Sequence, residues 1–200
     1  MNNGIGIPLA TLSLLVITSL VSIIAFASPG LWRFLALEPY RMIRSKEYHA
    51  IITSGFVHGG FLHLLLNMWV LYMFGSELER ILGSIGFLIV YGVSLILGSI
   101  YPLVKYRNRT DYIAIGASGA VSGIVFSFCL YNPFAKLFLI VFPMPAFVFA
   151  ILYVGYSIYA MKRIKDNIGH EAHLGGALGG ALITIAMQPS VIGDLIRSFS

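Results

Sequence analysis

Charged residues divide this chain into six long stretches that are mostly apolar. A helix needs about 20 apolar residues to cross the hydrocarbon core of a bilayer, and backbone groups left unpaired there are costly. Each stretch therefore predicts one membrane-spanning helix. The predicted helices lie near residues 5–27, 59–78, 82–104, 115–132, 137–161 and 170–188.

The composition places the chain in a membrane. Hydrophobic residues make up 58% of its 200 residues, charged residues make up 10%, and the mean hydropathy is +0.88, which is far too apolar for a soluble domain. The strict alternation of polar and apolar positions typical of membrane-spanning strands is absent. We predict an all-α membrane protein in which residues 1–200 form a single domain, a bundle of six transmembrane helices.

The first stretch has a second interpretation, because Ala25-Phe26-Ala27 resembles a signal-peptidase site. The segment before it has no basic region, and its apolar run is longer than that of a typical signal peptide. We therefore expect this segment to be retained as the first helix.

The basic residues indicate a lipid partner. The net charge is +5, but Lys and Arg lie in short connections beside the helices rather than along one face. This distribution argues against nucleic acid and favours anionic lipid headgroups. The single cysteine, Cys129, falls inside a predicted helix, so the sequence predicts no internal disulfide and no thiol chemistry.

A serine lies at the predicted start of the fourth helix, within Gly116-Ala117-Ser118-Gly119. Unpaired N–H groups and the positive end of the helix dipole meet at such a position and favour a developing oxyanion. The flanking glycines allow another backbone to approach closely. Small residues also serve helix packing, so this motif alone leaves both interpretations open.

A histidine near the start of the sixth helix shares its face with two glycines. Gly176 and Gly180 lie within about 60° of His173 on a helical projection. The smooth face predicts close packing against the fourth helix, which would bring the imidazole to Ser118. A histidine with a purely structural role is the alternative.

His63 and Asn67 lie one turn apart on the second predicted helix, hence on one face. Both are uncharged hydrogen-bond donors, and two such donors can stabilise an oxyanion in a site of low dielectric constant. Hydrogen bonding between membrane helices is the other role that these residue types fill.

Metal chemistry fits the sequence poorly. The chain lacks His-Glu-x-x-His, its acidic residues lie in the connections or at the ends of the predicted helices, and His58 and His63 are splayed by about 140° on a continuous helix. We expect neither a metal nor another cofactor.

These motifs together resemble the rhomboid family of intramembrane serine proteases. The similarity covers about residues 38–188, and its specificity comes from three motifs in the right order on the right helices. The motifs are Gly-x-Ser-Gly at 116–119, His-x-x-Gly-x-x-x-Gly at 173–180 and His-x-x-x-x-His-x-x-x-Asn at 58–67.

The resemblance implies a site and a substrate. Ser118 and His173 would form a catalytic dyad without an acidic third member, and His63, Asn67 and the Ser118 N–H would form the oxyanion hole. The substrates would be transmembrane proteins cut in or beside a membrane helix. Glu79, in the turn after the second helix, would have a structural role, and we expect a multi-pass protein of the plasma membrane.

Two positions depart from the family pattern. Many relatives have Trp-Arg in the first connection, where this chain has Tyr48-His49. Many also place an aromatic residue four positions after the nucleophile, against the catalytic base, where this chain has Ser122.

The charge distribution also conflicts with the family orientation. Connections one, three and five hold ten Lys and Arg residues, which the positive-inside rule would place in the cytoplasm. The resemblance implies instead that Ser118 opens to the exterior, and we expect that orientation. The ten residues are Arg33, Arg41, Arg44, Lys46, Lys105, Arg107, Arg109, Lys162, Arg163 and Lys165.

Two other functions compete with proteolysis. A rhomboid-like protein that binds membrane helices without cutting them would not need both Ser118 and His173. A small transporter or channel would place His and Asn along a permeation path, but no inverted repeat is visible in the sequence.

Overall fold

Helices dominate the computed structural model, which describes residues 6–139, 142–163 and 169–200. Residue 5 of the first predicted helix, residues 140 and 141 of the fifth, and Lys165 lie outside the described residues. The helices are α1 Leu9–Phe26, α2 Pro29–Leu35, α3 Pro39–Ser45, α4 Ala50–Thr53, α5 Phe61–Val70, α6 Ser76–Lys105, α7 Ser118–Tyr131, α8 Ala146–Arg163, α9 His170–Met187 and α10 Ser190–Arg197.

The predicted helical class is confirmed, but the predicted count of six crossings is not. By length and composition, two described segments can cross a membrane, Leu9–Phe26 and Phe61–Lys105. A third is reached if α9 and α10, which are bent by 104°, count as one span. Helix α7 is apolar but shorter than a full span. Six crossings therefore stay a prediction.

The second and third predicted helices form one continuous helical segment with a break inside it. Helix α5 passes through a π-helical turn, Leu71–Gly75, into α6, and Gly83 interrupts α6 with φ 70° and ψ 166°. A Cβ on Gly75 would lie 3.3 Å from Phe87 Cε2, although twelve residues along a straight helix span about 18 Å. The chain therefore reverses at Gly83, so the predicted second and third helices are separate, but the break lies at residue 83 rather than between residues 78 and 82.

The fifth predicted helix, 137–161, is wrong over its first part. Lys136–Leu139 and Phe142–Pro145 form a two-stranded antiparallel hairpin, and α8 begins only at Ala146. Pro143 and Pro145 explain the difference, because proline lacks the N–H donor and clashes with the preceding helical turn. These prolines lie before the helix rather than inside it.

Glu79 anchors the start of α1. Its carboxylate accepts hydrogen bonds from the Ala10 and Thr11 N–H groups, at 2.9 and 2.6 Å, and from the hydroxyls of Thr11 and Ser84, both at 2.7 Å. The first N–H groups of a helix have no partner within the helix, and Pro8 at the N-cap supplies no side-chain acceptor. Glu79 therefore caps α1 from a distant part of the chain, which is a structural role.

We expect Glu79→Ala to lower the thermal midpoint by roughly 5–10 °C. Each orphaned buried donor costs about 1–3 kcal/mol, and 1 kcal/mol corresponds to about 2–4 °C in a chain of this length. The measurement is a thermal unfolding curve in detergent. Glu77→Ala is the control, because within the described part of the chain Glu77 pairs only with Arg80, at an exposed position, and should shift the midpoint little. Equal shifts in the two variants would contradict the capping role.

Helices α6, α7 and α9 pack through glycine faces. A Cβ on Gly176 would overlap the backbone of Gly119, and a Cβ on Gly180 would overlap the backbone of Gly123. Ser127 adds a buried link, because its hydroxyl donates to the Gly180 carbonyl at 3.0 Å. The start of α7 is thereby held directly against the first turns of α9.

Candidate active site

Ser118 and His173 meet at the starts of two packed helices. Ser118 is the first residue of α7, His173 lies in the first turn of α9, and Ser118 Oγ is 2.7 Å from His173 Nε2. The residues are 55 positions apart in sequence, and the contact between Gly119 and Gly176 brings their helices together. This distance lies within the 2.6–3.2 Å range in which a base takes a proton from a hydroxyl.

Glu171 lies close to His173 in sequence but is held by other groups. Its carboxylate accepts a hydrogen bond from Lys105 Nζ at 2.5 Å and another from the Tyr106 hydroxyl at 2.7 Å. Burial raises the pKa of Tyr106, so this phenol stays protonated and donates. Glu171 therefore joins α9 to the end of α6.

The backbone before Ser118 makes a turn that requires glycine. Gly116 has φ 104°, and its N–H donates to the Ser54 carbonyl at 2.9 Å. A Cβ at this position would lie 2.7 Å from His63 Cε1. Any side chain here would thus both strain the backbone and displace the His63 ring.

His63 and Asn67 lie on the α5 face that borders this turn. The Gly59 N–H donates to His63 Nδ1 at 3.3 Å, which assigns the proton of a neutral ring to Nε2, the atom beside Gly116. The Asn67 amide donates to the His63 carbonyl at 2.9 Å, and its second N–H is a further donor. Both side chains line a cavity that also contains Ser118 and His173.

His58 is the site residue whose role sequence reasoning missed. Its ring is fully buried, its Nε2 accepts the Ala117 N–H at 3.3 Å, and its Nδ1 lies 2.9 Å from Ser22 Oγ. Because Nε2 accepts, Nδ1 carries the proton and donates to Ser22, which in turn donates to the Phe56 carbonyl at 2.8 Å. This chain of bonds ties α1 to the residue preceding Ser118.

The neutral state of His58 is consistent with this chain of bonds. Burial, and to a smaller degree the neighbouring His63, lowers the pKa of His58 to about 3. The sequence did contain a signal: Gly59-Gly60 follows His58, and α5 begins only at Phe61. His58 therefore lies before the helix, where its ring can reach the turn at Gly116.

A tyrosine from α8 lies beside Ser122 at the edge of the site. The Tyr153 hydroxyl lies 2.7 Å from Ser122 Oγ, and both residues line one cavity with Ser118 and His173. The sequence analysis identified Ser122 as a departure but had no means of pairing it with Tyr153. The Ser122 hydroxyl thus pairs with a tyrosine of a different helix.

The first connection is anchored by contacts of His49 and Trp32. His49 stacks on Phe34 with ring centroids 4.5 Å apart, and its Nε2 lies 3.0 Å from the Phe34 carbonyl. Trp32, which the sequence analysis did not single out, donates from its indole N–H to the His58 carbonyl at 2.9 Å. The connection therefore reaches the site through Trp32 and His58.

Two cavities meet at the Ser118–His173 pair. The smaller, of about 270 Å³, is mostly apolar and extends between α5, α7 and α8. The larger, of about 1490 Å³, has many polar and charged side chains in its wall. Asn67, Ser118 and His173 line both cavities, so the pair lies where an apolar space joins a polar one.

A helical membrane protein with an apposed serine and histidine at such a junction has the features of an intramembrane hydrolase. Residues 45–190 match the Rhomboid domain, and the chain belongs to the rhomboid family.

Three similar proteins illustrate the relationship. The chain is 36% identical over 163 residues to mitochondrial rhomboid protein 1 of Saccharomyces cerevisiae, covering 77% of this chain and 46% of the yeast protein. It is 34% identical over 154 residues to YdcA of Bacillus subtilis, provisionally named a rhomboid protease, covering 77% and 74%. It is 30% identical over 148 residues to the Bacillus subtilis rhomboid protease GluP, covering 73% and 27%.

The relatives show how much of a longer protein this chain corresponds to, and they bear on the membrane in which it lies. This chain spans about half of the yeast protein and a smaller share of GluP. Family membership and the apolar helices make it a multi-pass membrane protein. The expected plasma membrane finds no support, because relatives of similar identity are mitochondrial.

Proposed function

We propose that this protein is a serine endopeptidase that cuts peptide bonds in or next to transmembrane helices. The observation that carries the proposal is the 2.7 Å contact between Ser118 Oγ and His173 Nε2 at the junction of the two cavities. The apolar cavity suits a segment that arrives from the bilayer. The polar cavity suits the water that hydrolysis consumes.

Catalysis would proceed through an acyl-enzyme. Ser118 Oγ attacks the scissile carbonyl carbon while His173 Nε2 takes the hydroxyl proton. The tetrahedral intermediate collapses, the C–N bond breaks, and His173 gives its proton to the leaving amine. A water molecule then attacks the Ser118 ester, His173 takes one of its protons, and the carboxylic product leaves as the Ser118 hydroxyl is restored.

The oxyanion would be stabilised by donors that surround the start of α7. The Ser118 N–H has no partner within α7, because it is the first residue of the helix. His63 Nε2–H and the second N–H of Asn67 supply two neutral side-chain donors. Neutral donors suit this task, because they favour the developing charge without requiring a buried permanent one.

The substrate must expose its backbone before Ser118 can attack. Carbonyls of a membrane helix are hydrogen-bonded and surrounded by side chains, so a bound segment must unwind locally. Glycine and other residues that weaken a helix near the scissile bond should therefore increase the rate of cleavage.

The test of the function is cleavage of a tagged single-pass protein by the purified chain in detergent, followed by mass spectrometry of the cut site. A serine-directed fluorophosphonate should label Ser118 under the same conditions. A protein that binds the substrate helix but neither cuts it nor reacts with the probe would be a non-catalytic binder, and the proposal would fail.

We expect Asn67→Ala to lower kcat by about 10- to 10³-fold, as loss of an oxyanion donor does in other hydrolases. Fold stability should change little, because the hydrogen bond that the Asn67 side chain donates ends on a carbonyl of its own helix. The measurements are kcat and the thermal midpoint of the same preparation.

Ser99→Ala is the matched control for Asn67→Ala. Ser99 is equally buried, bonds the Leu95 carbonyl of its own helix at 3.0 Å and also lines the larger cavity, so Ser99→Ala deletes the same kind of bond there without removing a proposed oxyanion donor. It should leave kcat within a few fold of the unmodified protein. A normal kcat with reduced stability for Asn67→Ala would mean that Asn67 only links helices.

A further inference from the structure

The larger cavity carries positive charges that its own carboxylates do not balance. Among the residues that the structure describes, four cationic side chains and two carboxylates lie in its wall, which leaves these residues with a net charge of +2 beside the Ser118–His173 pair. The six residues are Lys105, Arg109, Asp111, Lys162, Arg163 and Glu171.

Two of the cations are already paired. Lys105 lies 2.5 Å from the Glu171 carboxylate. Arg109 forms two hydrogen bonds to Asp111, at 2.9 and 2.5 Å, and these bonds lower the pKa of the Asp111 carboxyl. These pairs cancel, so they give the cavity little preference for either sign of charge.

Lys162 and Arg163 carry the excess charge. They are the last two residues of α8, both are exposed, and neither forms an ion pair within the part of the chain that the structure describes. A cleft with an excess of one sign of charge concentrates its electric field and attracts ligands of opposite charge. The missing counter-charge is therefore expected on the molecule that enters.

We propose that Lys162 and Arg163 select substrates with acidic side chains in the segment that flanks the scissile bond. This inference rests on the proposed protease function: Ser118 lies where the two cavities meet, so a segment whose scissile bond is at Ser118 can extend its flanking residues from the apolar cavity into the larger one. Arg163 can hold a carboxylate through two parallel hydrogen bonds, and Lys162 acts as a mobile point charge. A peptide is preferred over a lipid headgroup because the cavity wall includes the reacting Ser118 and His173.

The test compares two single-pass substrates with the same transmembrane sequence. One carries three Asp or Glu residues in its flanking segment, and the other carries Asn or Gln at the same positions. At low salt we expect kcat/KM for the acidic substrate to be about 3- to 20-fold higher, because two partly exposed ion pairs each contribute modestly. The ratio should fall as salt screens the charges.

The matched variants are Lys162→Gln/Arg163→Gln and Arg80→Gln. The double variant should cleave the acidic and the neutral substrate with nearly equal kcat/KM, so that the ratio of the two values is close to one. Arg80→Gln should keep the full ratio, because Arg80 pairs with Glu77 and does not line the cavity. The variant Lys162→Glu/Arg163→Glu should reverse the preference in favour of a substrate whose flanking segment carries Lys.

Binding separates this inference from the proteolysis on which it rests. Fluorescence anisotropy with Ser118→Ala should show tighter binding of the acidic substrate, whether or not the unmodified protein cuts. Equal affinity for both substrates overturns the inference. Tighter acidic binding without any cleavage by the unmodified protein supports the selectivity and contradicts the protease.

Vesicles of neutral lipid, with and without an anionic lipid, test the alternative partner. If the effect of Lys162→Gln/Arg163→Gln depends on the anionic lipid and not on the charge of the substrate, these residues bind headgroups and the inference is overturned. An effect that follows substrate charge in both kinds of vesicle supports it.

Discussion

Ser118→Ala and His173→Ala should each reduce cleavage of a transmembrane substrate to the background rate. Ser118 supplies the attacking oxygen, and His173 is the base 2.7 Å away, so neither can work without the other. Losses within one chemical unit do not add, and the double variant should be no slower than either single one. The measurement is single-turnover cleavage together with fluorophosphonate labelling, which should vanish in Ser118→Ala.

Both variants should remain folded, because the Ser118–His173 hydrogen bond that each of them removes joins half-buried groups. Ser127→Ala is the matched control on the same helix: Ser127 bonds the Gly180 carbonyl and Thr184, and it does not line either cavity. It should lower the thermal midpoint yet preserve cleavage per folded molecule. Full cleavage by Ser118→Ala or by His173→Ala would rule out the proposed dyad.

Gly176→Val should cost about 10²-fold or more in rate without altering either proposed catalytic side chain. A Cβ on Gly176 would overlap the backbone of Gly119, the residue that follows Ser118, and backbone atoms cannot rotate away as a side chain can. Helices α7 and α9 must then separate, and a misplacement of about 1 Å between reacting groups can cost 10²-fold. The rate should be measured on the folded fraction, alongside the thermal midpoint.

Leu178→Val is the control for this substitution, since Leu178 lies on the same helix with 47% of its surface exposed. It should change neither the rate nor the midpoint appreciably. Gly176→Ala adds an intermediate case, because a single methyl group already meets the Gly119 carbonyl. A folded Gly176→Val protein with undiminished cleavage would show that the glycine contact does not position the Ser118–His173 pair.

Some features of this site follow from local sequence and others do not. Ser118 at a helix start and His173 on a glycine face were both predicted, because a charged connection, a helix boundary and a helical period are local properties. The hairpin before α8 was missed because the helix was predicted from the hydropathy of the run 137–161 alone. Pro143 and Pro145 lack the N–H donor that a helix requires, so this part of the run is not helical despite being apolar.

The partners of the site residues had no such local signal. His58 bonds the Ala117 N–H across 59 positions, and Tyr153 meets Ser122 from a different helix. Five positions on a continuous helix would have splayed His58 from His63, yet the break at Gly59-Gly60 brings their rings to 4.9 Å. A helical projection cannot represent such a break.

The sequence by itself determined that this chain is a helical membrane protein, where most of its helices lie, and which serine and histidine are candidates for chemistry. Hydropathy and helical period depend on each residue and its near neighbours in the chain, so they can be derived from the sequence without a structure. Only the tertiary structure decided that Glu79 caps α1, that His58 secures the turn before Ser118, and that Lys162 and Arg163 share a cavity with the dyad. These relations depend on how closely distant helices approach, which is set by packing in three dimensions.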